Sequence, residues 1–404
     1  RRSDRDTARV PAARAQKPVS DPGPFVLRTE TLGALPIVNH VLDRIGPITI
    51  IDRYLPADDA RLRVDPAVVI GLLVRNLTID HQPIYALAEW AATFDPALFG
   101  LNTGDVEVLN DDRTGRMLDR LFDTDRASLI TRTVLAAVRE FDINMDQLHN
   151  DSTTVTFAGD HHDANGQTRG DQATPVITYG HNKDHRPDLK QLLCVLTVTA
   201  DGAVPVAFRV LDGNTSDDPT HIPTWDELVA LVGRPDFLYV ADSHLANRPA
   251  MDHIDSHGGR FVTILPRTRK EDRQFRDRIA THPVEWTEAH RRPANRNGDP
   301  DQTFHTTPAP AGPSVEGYRI IWVRSSTKID RDAETRRARI AKGIAALDDL
   351  NQKLASPRTR IKTKVAVQTA ADAALKDSGA GRWVGYTITE TATTKLKQEK
   401  RGRP

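Results

Sequence analysis

The stretch Met145–Gly159, MDQLHNDSTTVTFAG, decides the fold class of this 404-residue chain. From Leu148 onward, hydroxyl-bearing residues alternate with apolar ones, and this period of two predicts a β-strand. Within residues 148–157, Asp151 is the only carboxylate, and it stands at the head of the run. Burying a charged side chain in a strand that packs against a hydrophobic core costs free energy unless another group neutralises the charge. The stretch therefore predicts both a sheet and a functional position.

The residues downstream predict a mixed sheet with helices packed on it. The sequence QLLCVLTVTADGAVPVAFRVLDGN is typical of two strands joined by a turn at residues 200–202. After it come a helix (THIPTWDELVALVG), a buried strand (DFLYVADSHL), a second helix (RPAMDHIDSHG) and a last strand (RFVTILP). An order of strand, hairpin, helix, strand, helix, strand places the region in the α+β or α/β class.

Composition and periodicity divide the chain into four segments. Residues 1–24 are rich in Arg, Ala, Pro and Asp, which predicts a disordered basic arm. Residues 25–141 show apolar spacings of three and four, which predict an all-α N-terminal domain. Residues 142–266 contain the sheet. Residues 267–404 predict a separate module: a charged start, a loop (HRRPANRNGDPDQTFHTTPAPAGP), a strand (GYRIIWVRSS), a long helix (DAETRRARIAKGIAALDDLNQKL) and a last strand (VGYTITE).

Charge, cysteine content and hydropathy exclude several classes of protein, but they do not indicate a binding partner. The chain has 55 basic and 55 acidic side chains, although a neutral total can still hide a basic face. Cys194 is the single cysteine, so an internal disulfide framework is excluded and a reducing cytosol is indicated. The sequence has no signal peptide and no apolar run near the roughly 18 residues that a membrane span needs. No membrane partner is expected.

A second acid, Asp242, occupies a setting like that of Asp151, at the end of the apolar run in FLYVADSHL. The two acids thus fall on two strand segments of one predicted sheet. A divalent cation would neutralise them, because hard Mg²⁺ prefers carboxylate oxygens, and metals held in this way support phosphodiester chemistry. The alternative interpretation is that each Asp caps a strand or a turn.

Two further polar stretches have both functional and structural interpretations. Lys183, Arg186 and Lys190 form a basic cluster just before a core strand, where they would meet DNA phosphates. The alternative is an ordinary solvated loop. The stretch GDHHD, residues 159–163, matches short metal-binding tracts only weakly. Asp218, before a proline, is expected to cap a helix.

Several blocks of the sequence resemble insertion-sequence DDE transposases, in the branch with a β-rich insertion in the catalytic domain. The blocks are HNDSTTVTF, YGHNKDHRPDLKQLL, DGNTSDD and YVADSHLAN. The stretches LGALPIVNHVLDRIG, AEWAATFDPALFGL and LNDDRTGRMLDRLFD resemble the helical N-terminal domain of that branch. The resemblance covers nearly everything from Leu32 onward.

The resemblance implies a ribonuclease-H-like fold, with Asp151 on the first strand and Asp242 on the fourth as catalytic metal ligands. It makes residues 142–266 the first part of the catalytic core and residues 267–404 an incomplete insertion module. The implied cofactor is Mg²⁺, with Mn²⁺ as its substitute, and the implied reaction is cleavage of element ends followed by strand transfer. The implied partners are terminal-repeat and target DNA and a second copy of the chain in the DNA complex. The implied location is the bacterial cytoplasm, at the nucleoid when DNA is bound.

The third acid of the family departs from the expected pattern. The family carries a Glu within a Tyr-x2-Arg-x3-Glu-x6-Lys motif. The nearest match here is Ile264, Arg267, Glu271 and Arg278, which lacks the Tyr and the Lys. Because the insertion should precede the Glu, the third acid is expected beyond Pro404, with Glu271 as the weaker candidate, and the fragment alone is expected to be inactive. A catalytically inactive DNA-binding remnant and an unrelated metal-dependent nuclease stay open as alternatives.

Overall fold

The chain forms two compact units, Arg1–Leu265 and Pro266–Pro404. The computed structural model describes the following residues: 29–57, 62–102, 104–294, 300–308 and 312–390. The arm predicted for residues 1–24 lies outside the described residues, as does the part of the predicted insertion module after residue 390.

The first half of the first unit is helical, as its periodicity predicts. Its α-helices are α1 (Leu35–Ile45), α2 (Pro47–Tyr54), α3 (Pro66–Ile79), α4 (Leu87–Ala91), α5 (Asp111–Asp123) and α6 (Arg126–Glu140). Asn110 and Asp125 cap α5 and α6, because each side chain accepts a hydrogen bond from a backbone amide of the first turn. Trp90, Phe94 and Phe99 pack together at ring-centroid distances of 5.2–5.9 Å within the core of these helices.

The second half of the first unit is a five-stranded mixed sheet. Its strands are β1 (Gln147–Phe157), β4 (Lys190–Thr199), β5 (Pro205–Leu211), β6 (Leu238–Val240) and β7 (Arg260–Val262), and a short ribbon is made of β2 (Thr168–Arg169) and β3 (Gln172–Ala173). The strand order is β5-β4-β1-β6-β7. β5, β4 and β1 pair antiparallel, whereas β1, β6 and β7 pair parallel.

Helices cross between the parallel strands of this sheet. α7 (His221–Val232) connects β5 to β6, and α8 (Arg248–Ser256) connects β6 to β7. Three antiparallel strands followed by two parallel strands, with a helix in each crossover, form the ribonuclease-H-like fold. The predicted fold class is therefore confirmed. The core under the sheet is fully buried, with Leu148, Tyr239 and Trp225 at its centre.

The strand predicted over DFLYVADSHL is shorter than expected. β6 covers only Leu238–Val240, and a turn of 3₁₀ helix begins at Ser243. Asp242 therefore lies just beyond the fourth strand and not on it. The apolar run extends past the strand because Ala241 and Leu245 are buried in the same core although they lie outside the sheet.

The second unit contains a small antiparallel sheet and a long helical hairpin. Its elements are α9 (Lys270–Thr281), β8 (Thr287–Arg292), β9 (Gln302–Pro308), β10 (Ile321–Ser325), α10 (Ser326–Ala355) and α11 (Lys364–Ser378). The sheet order is β10-β9-β8, and Phe275 of α9 stacks on Trp322 of β10 with ring centroids 3.9 Å apart. The predicted strand at GYRIIWVRSS and the predicted long helix are confirmed.

Two predictions for the second unit are wrong. The stretch expected to be a loop after residue 289 contains much of β8 and β9, and VGYTITE, residues 384–390, forms no strand. Every residue of β8 is exposed, so this strand lacks the apolar alternation that identifies a strand in a sequence. The VGYTITE stretch has that alternation but pairs with no strand in the part of the chain that the structure describes.

No helix of the described ranges is long and apolar enough to cross a membrane. The longest, α10, has 30 residues but carries charged side chains along most of its length.

Candidate active site

Asp151 lies on β1, and Asp242 lies just beyond the end of β6, the parallel neighbour of β1. The parallel pairing of β1 with β6 ends where His149 faces Val240. Each acid follows two residues later in the sequence, and side chains two residues apart lie on the same face of an extended chain. Extending this register by two residues pairs Asp151 with Asp242 beyond the end of β6. Sites in open α/β sheets lie beyond such carboxyl ends of strands.

Both carboxylates also make local hydrogen bonds, as the capping interpretation expects. Asp242 Oδ1 accepts from the backbone amide of His244 at 2.9 Å and so caps the 3₁₀ turn. Asp151 Oδ1 accepts from the amide of Ser152 at 2.8 Å. The Asp151 side chain is nevertheless 81% exposed, so its carboxylate remains accessible to a ligand.

The ammonium of Lys183 lies between Asp151 and another carboxylate, that of Asp217. Lys183 Nζ lies 3.9 Å from Asp151 Oδ1 and 3.4 Å from Asp217 Oδ2. The same ammonium donates to the Ser152 hydroxyl at 2.6 Å and to the Ser152 carbonyl oxygen. The side chain of Asp217 is only 13% exposed. Two carboxylates thus already converge on one positive charge.

His244 contacts both Asp217 and Asp242, because its ring lies near Asp217 and its backbone amide donates to Asp242. Its Nε2 lies 3.8 Å from Asp217 Oδ2, and its Nδ1 hydrogen-bonds Asp218 Oδ1 at 2.6 Å. The bond to Asp218 raises the pKa of His244, and the charges of Asp242 and Asp217 act in the same direction. The expectation that Asp218 caps a helix is wrong, because its carboxylate binds His244 instead. We call Asp151, Lys183, Asp217, Asp218, Asp242 and His244 the site cluster.

A buried polar pair lies behind the site cluster. His221, only 3% exposed at the start of α7, has its Nδ1 3.2 Å from the hydroxyl of Tyr239. Burial lowers the pKa of His221, although the charges of Asp242 and Asp217 oppose this. Burial raises the pKa of Tyr239, and the charge of Asp242 adds to the effect. Both groups are therefore neutral near pH 7.

Two glycines hold together the segments that carry Lys183 and Asp217. A Cβ on Gly180 would lie 2.0 Å from the carbonyl oxygen of Gly213, and one on Gly213 would lie 2.0 Å from that of Gln191. Gln191 Nε2 donates to the Gly213 carbonyl at 2.6 Å. Only glycine permits this approach of backbones. The spacing of Lys183 and Asp217 thus depends on backbone packing.

The basic cluster predicted to bind DNA is engaged within the chain. Arg186 forms a bidentate pair with Asp188, at 2.9 and 2.7 Å. Lys190 donates its ammonium to the carbonyl oxygen of Asp160. Lys183 belongs to the site cluster. The structure therefore brings one of the three cations to the acids, and the exposed Arg186 and the half-buried Lys190 have partners of their own.

Glu271, the weaker candidate for a third catalytic acid, has local structural partners in the second unit. Its Oε1 accepts from the backbone amide of Val315 at 3.1 Å and from Arg269 at 3.3 Å. Arg269 also binds Glu316 at 2.5 Å and lowers the pKa of Glu316 to about 2. These contacts are typical of a carboxylate that fixes the start of a helix.

The acids of the site cluster offer the oxygen donors that Mg²⁺ prefers, but they do not form a complete set of metal ligands. Within the described ranges, no three His, Cys, Asp or Glu side chains are grouped so as to hold a metal ion. GDHHD does not form such a group either, and His161 instead hydrogen-bonds the carbonyl oxygen of Ala158 at 2.9 Å. Carboxylate oxygens from β1, the loop after β5 and the end of β6 are nevertheless the hard donors that Mg²⁺ prefers.

Asp217, Asp218 and His244 are the members of the site cluster that the sequence did not assign to a site. The available signal was the pair of adjacent carboxylates in DGNTSDD, one of the blocks that carries the family resemblance. A helix-capping role explained those acids equally well. Their convergence on Lys183 and His244 depends on tertiary packing.

Comparisons with known proteins give one family match and several distant structural similarities. A family model described as a domain of unknown function, DUF4277, matches residues 27–135. No curated protein matches the chain. Among solved structures, the chain is similar to the piggyBac transposase synaptic complex with hairpin DNA, at 12% identity and a TM-score of 0.32, covering 70% of this chain and 60% of that one.

Two Mos1 structures are also similar to this chain. The Mos1 transposase paired-end complex with left transposon end has 12% identity and a TM-score of 0.19, covering 53% of this chain and 62% of that one. The Mos1 mariner paired end complex with Mn has 10% identity and a TM-score of 0.19, covering 61% and 73%. The chain thus spans less than two thirds of the length of the piggyBac chain.

Proposed function

We propose that this chain is a DNA transposase of an insertion sequence, which cleaves the ends of its element and joins them to target DNA by in-line displacement at phosphorus. The observation that carries the proposal is the register of β1 and β6, whose extension by two residues pairs Asp151 with Asp242 beyond the end of β6. Paired carboxylates at such a position suit phosphodiester chemistry assisted by a metal ion. The sequence blocks that contain both acids support the same reading.

The residues of the site cluster divide into ligands and positioning groups. Asp151 and Asp242 would hold Mg²⁺, or Mn²⁺ as its substitute, which when bound neutralises charge on the phosphate and the leaving oxygen. Asp217 would position Lys183 and His244, since it lies within 4 Å of both. The neutral pair His221 and Tyr239 would keep water from the inner side of the site.

DNA is the proposed substrate and partner. Lys183, Arg186 and Lys190 would meet the phosphates next to the carboxylates, where phosphate oxygens replace their present partners. The helical half of the first unit would bind terminal repeats or pair two copies of the chain in the DNA complex. We further propose that the second unit is an insertion in the catalytic domain.

The proposal predicts that Asp151→Asn and Asp242→Asn each reduce cleavage about 10²-fold or more while DNA binding is retained. Each change removes one metal-ligand charge at nearly constant volume, and a catalytic metal contributes several kcal/mol to the barrier. Cleavage is measured in Mg²⁺ and in Mn²⁺ on a supercoiled plasmid that carries the coding region with its genomic flanks. Asp163→Asn, at an exposed acid in the loop after β1, is the matched control.

The same assay separates the alternatives. Cleavage at the element flanks that survives both Asp→Asn changes would contradict the assigned ligands. Scattered nicks with no joined product would favour an unrelated metal-dependent nuclease. Binding of flank DNA without cleavage in either metal would favour an inactive DNA-binding remnant.

A further inference from the structure

The two units carry opposite charge although the whole chain is neutral. Residues 1–265 contain 26 basic and 38 acidic side chains, a formal charge of −12. Residues 266–404 contain 29 basic and 17 acidic side chains, a formal charge of +12. Charge asymmetry of this size between halves of a chain indicates a polyanionic partner for the basic half.

One concentration of positive charge in the second unit lies where α10 turns into α11. Residues 350–371 contain five basic side chains and no acidic one. Four of the five, Arg358, Arg360, Lys362 and Lys364, lie between the end of α10 and the first residue of α11. All four are exposed. We call these four cations the hairpin turn cluster.

The hairpin turn cluster is not neutralised within the described part of the chain. None of its four side chains forms an ion pair or a side-chain hydrogen bond there. Arg186 and Lys190, by contrast, already have a carboxylate and a carbonyl partner. Exposed cations without partners bind a polyanion at the lowest cost, because no internal pair has to break and the polyanion releases its counterions.

The backbone at the same place also favours an anion. α11 is a helix of 15 residues that begins at Lys364, with Thr363 as its cap accepting a hydrogen bond from the amide of Ala366. The amino end of a helix carries a partial positive charge that attracts phosphate. The last turn of α10 has the opposite polarity, but Lys353 lies within it. The fixed charges of the backbone therefore add to those of the side chains at the start of α11.

We propose that the hairpin turn cluster is a DNA-binding surface of the second unit, which grips the phosphate backbone of duplex DNA without reading its sequence. The choice of DNA as the polyanion rests on the proposed function, whereas the charge of the surface does not. This surface supplies more of the affinity than Lys183, Arg186 and Lys190, because those three must first leave partners within the chain.

The test measures how the affinity of the full chain for a random-sequence DNA duplex depends on salt. Binding is followed in EDTA, so that the outcome does not depend on cleavage. Replacing all four cations of the hairpin turn cluster with Gln should reduce the slope of log affinity against log salt by about 3 to 4, since each phosphate contact contributes about 0.9. Lys183→Gln with Arg186→Gln and Lys190→Gln should change the slope less.

Matched controls separate charge from folding. Arg234→Gln with Arg260→Gln removes cations near the amino ends of β6 and β7, away from the site cluster, and should leave the slope nearly unchanged. Exchanging Arg358 and Arg360 for Lys, and Lys362 and Lys364 for Arg, keeps the charge and should keep the slope.

Three results would overturn the proposal. The first is an unchanged slope in the Gln variant. The second is an equal loss of affinity in the charge-preserving variant. The third is tighter binding of the wild-type chain to phosphatidylserine vesicles or duplex RNA than to DNA, lost in the Gln variant. If Asp151→Asn abolishes cleavage but not DNA binding, the result bears only on the proposed reaction. It neither supports nor contradicts DNA binding by the hairpin turn cluster.

Discussion

The ammonium of Lys183 lies where a cation is needed, within 4 Å of both Asp151 and Asp217. A divalent cation entering beside Asp151 would meet this positive charge. Coulomb repulsion between two unit charges about 4 Å apart amounts to roughly 1 kcal/mol in bulk water and roughly 4 kcal/mol near a protein surface. Lys183 thus stabilises this arrangement of the acids and would oppose a divalent cation bound beside Asp151.

We therefore predict that Lys183→Met binds Mn²⁺ about tenfold more tightly than the wild-type chain, because a repulsive charge is lost while both carboxylates remain. Affinity is measured by titrating Mn²⁺ and following the electron paramagnetic resonance signal of the free ion. Lys190→Met is the control, since its ammonium binds a carbonyl oxygen and not a carboxylate. Weaker Mn²⁺ binding in Lys183→Met would show that the lysine supports the metal site.

At the scale of elements, the site depends on the contact between the start of β4 and the segments on either side of it. Gln191 exchanges backbone hydrogen bonds with Thr178, at 2.8 and 3.2 Å. The amide of Gly213 binds the carbonyl of Val176 at 3.0 Å. These bonds place the Lys183 segment and the Asp217 segment side by side. A side chain at either glycine would separate them.

We predict that Gly213→Ala lowers the free energy of unfolding by roughly 3 kcal/mol, because its Cβ would overlap two carbonyl oxygens that cannot move independently of the sheet. Urea unfolding followed by circular dichroism measures the change. Wild-type stability in Gly213→Ala would show that the loop yields freely.

Gly115→Ala in α5 is the matched control for that substitution. A Cβ at Gly115 has no atom within 4 Å, so the change adds helix propensity without a clash. It should raise the free energy of unfolding by about 0.5–1 kcal/mol. A pair of Gly→Ala changes with opposite signs separates local crowding from a general effect of replacing glycine.

Element type was predictable wherever one face of an element is buried. β1 and α7 have a buried face, and their periodicity identified both. β8 is exposed along its whole length, and α9 is dominated by charged residues, so neither gave a usable apolar pattern. The predicted strand at β6 was too long because buried residues continue beyond the hydrogen-bonded strand.

The site was predictable only as far as strand position determines it. Asp151 stands at the head of a run of β-formers and Asp242 follows an apolar run, so both could be identified as acids at strands. Asp217 and His244 reach the site through a loop and a turn, and nothing in the sequence period indicates where a loop folds back. The partners of Arg186 and Lys190 were equally unpredictable, because each contact depends on the path of an irregular segment.

At the scale of the whole molecule, neutrality results from opposite charges on the two units. A formal charge of −12 on residues 1–265 and of +12 on residues 266–404 gives each copy of the chain a surface that attracts the other unit of a second copy. A net charge near zero adds no long-range repulsion to oppose this. Attraction of this kind extends about 30 Å at 0.01 M salt and about 10 Å at 0.1 M.

We predict that the chain self-associates reversibly at low ionic strength near pH 7, with the weight-average mass falling as salt is raised toward 0.5 M, where the screening length is only a few ångströms. Sedimentation velocity over a salt series measures the effect. A short DNA duplex added at low salt should also disperse the complexes, because it occupies the basic unit and leaves the acidic units to repel one another. Replacing the hairpin turn cluster with Gln should weaken the association. A mass independent of salt would show that any contact between copies is apolar, and the opposite charges of the two units would then have no part in it.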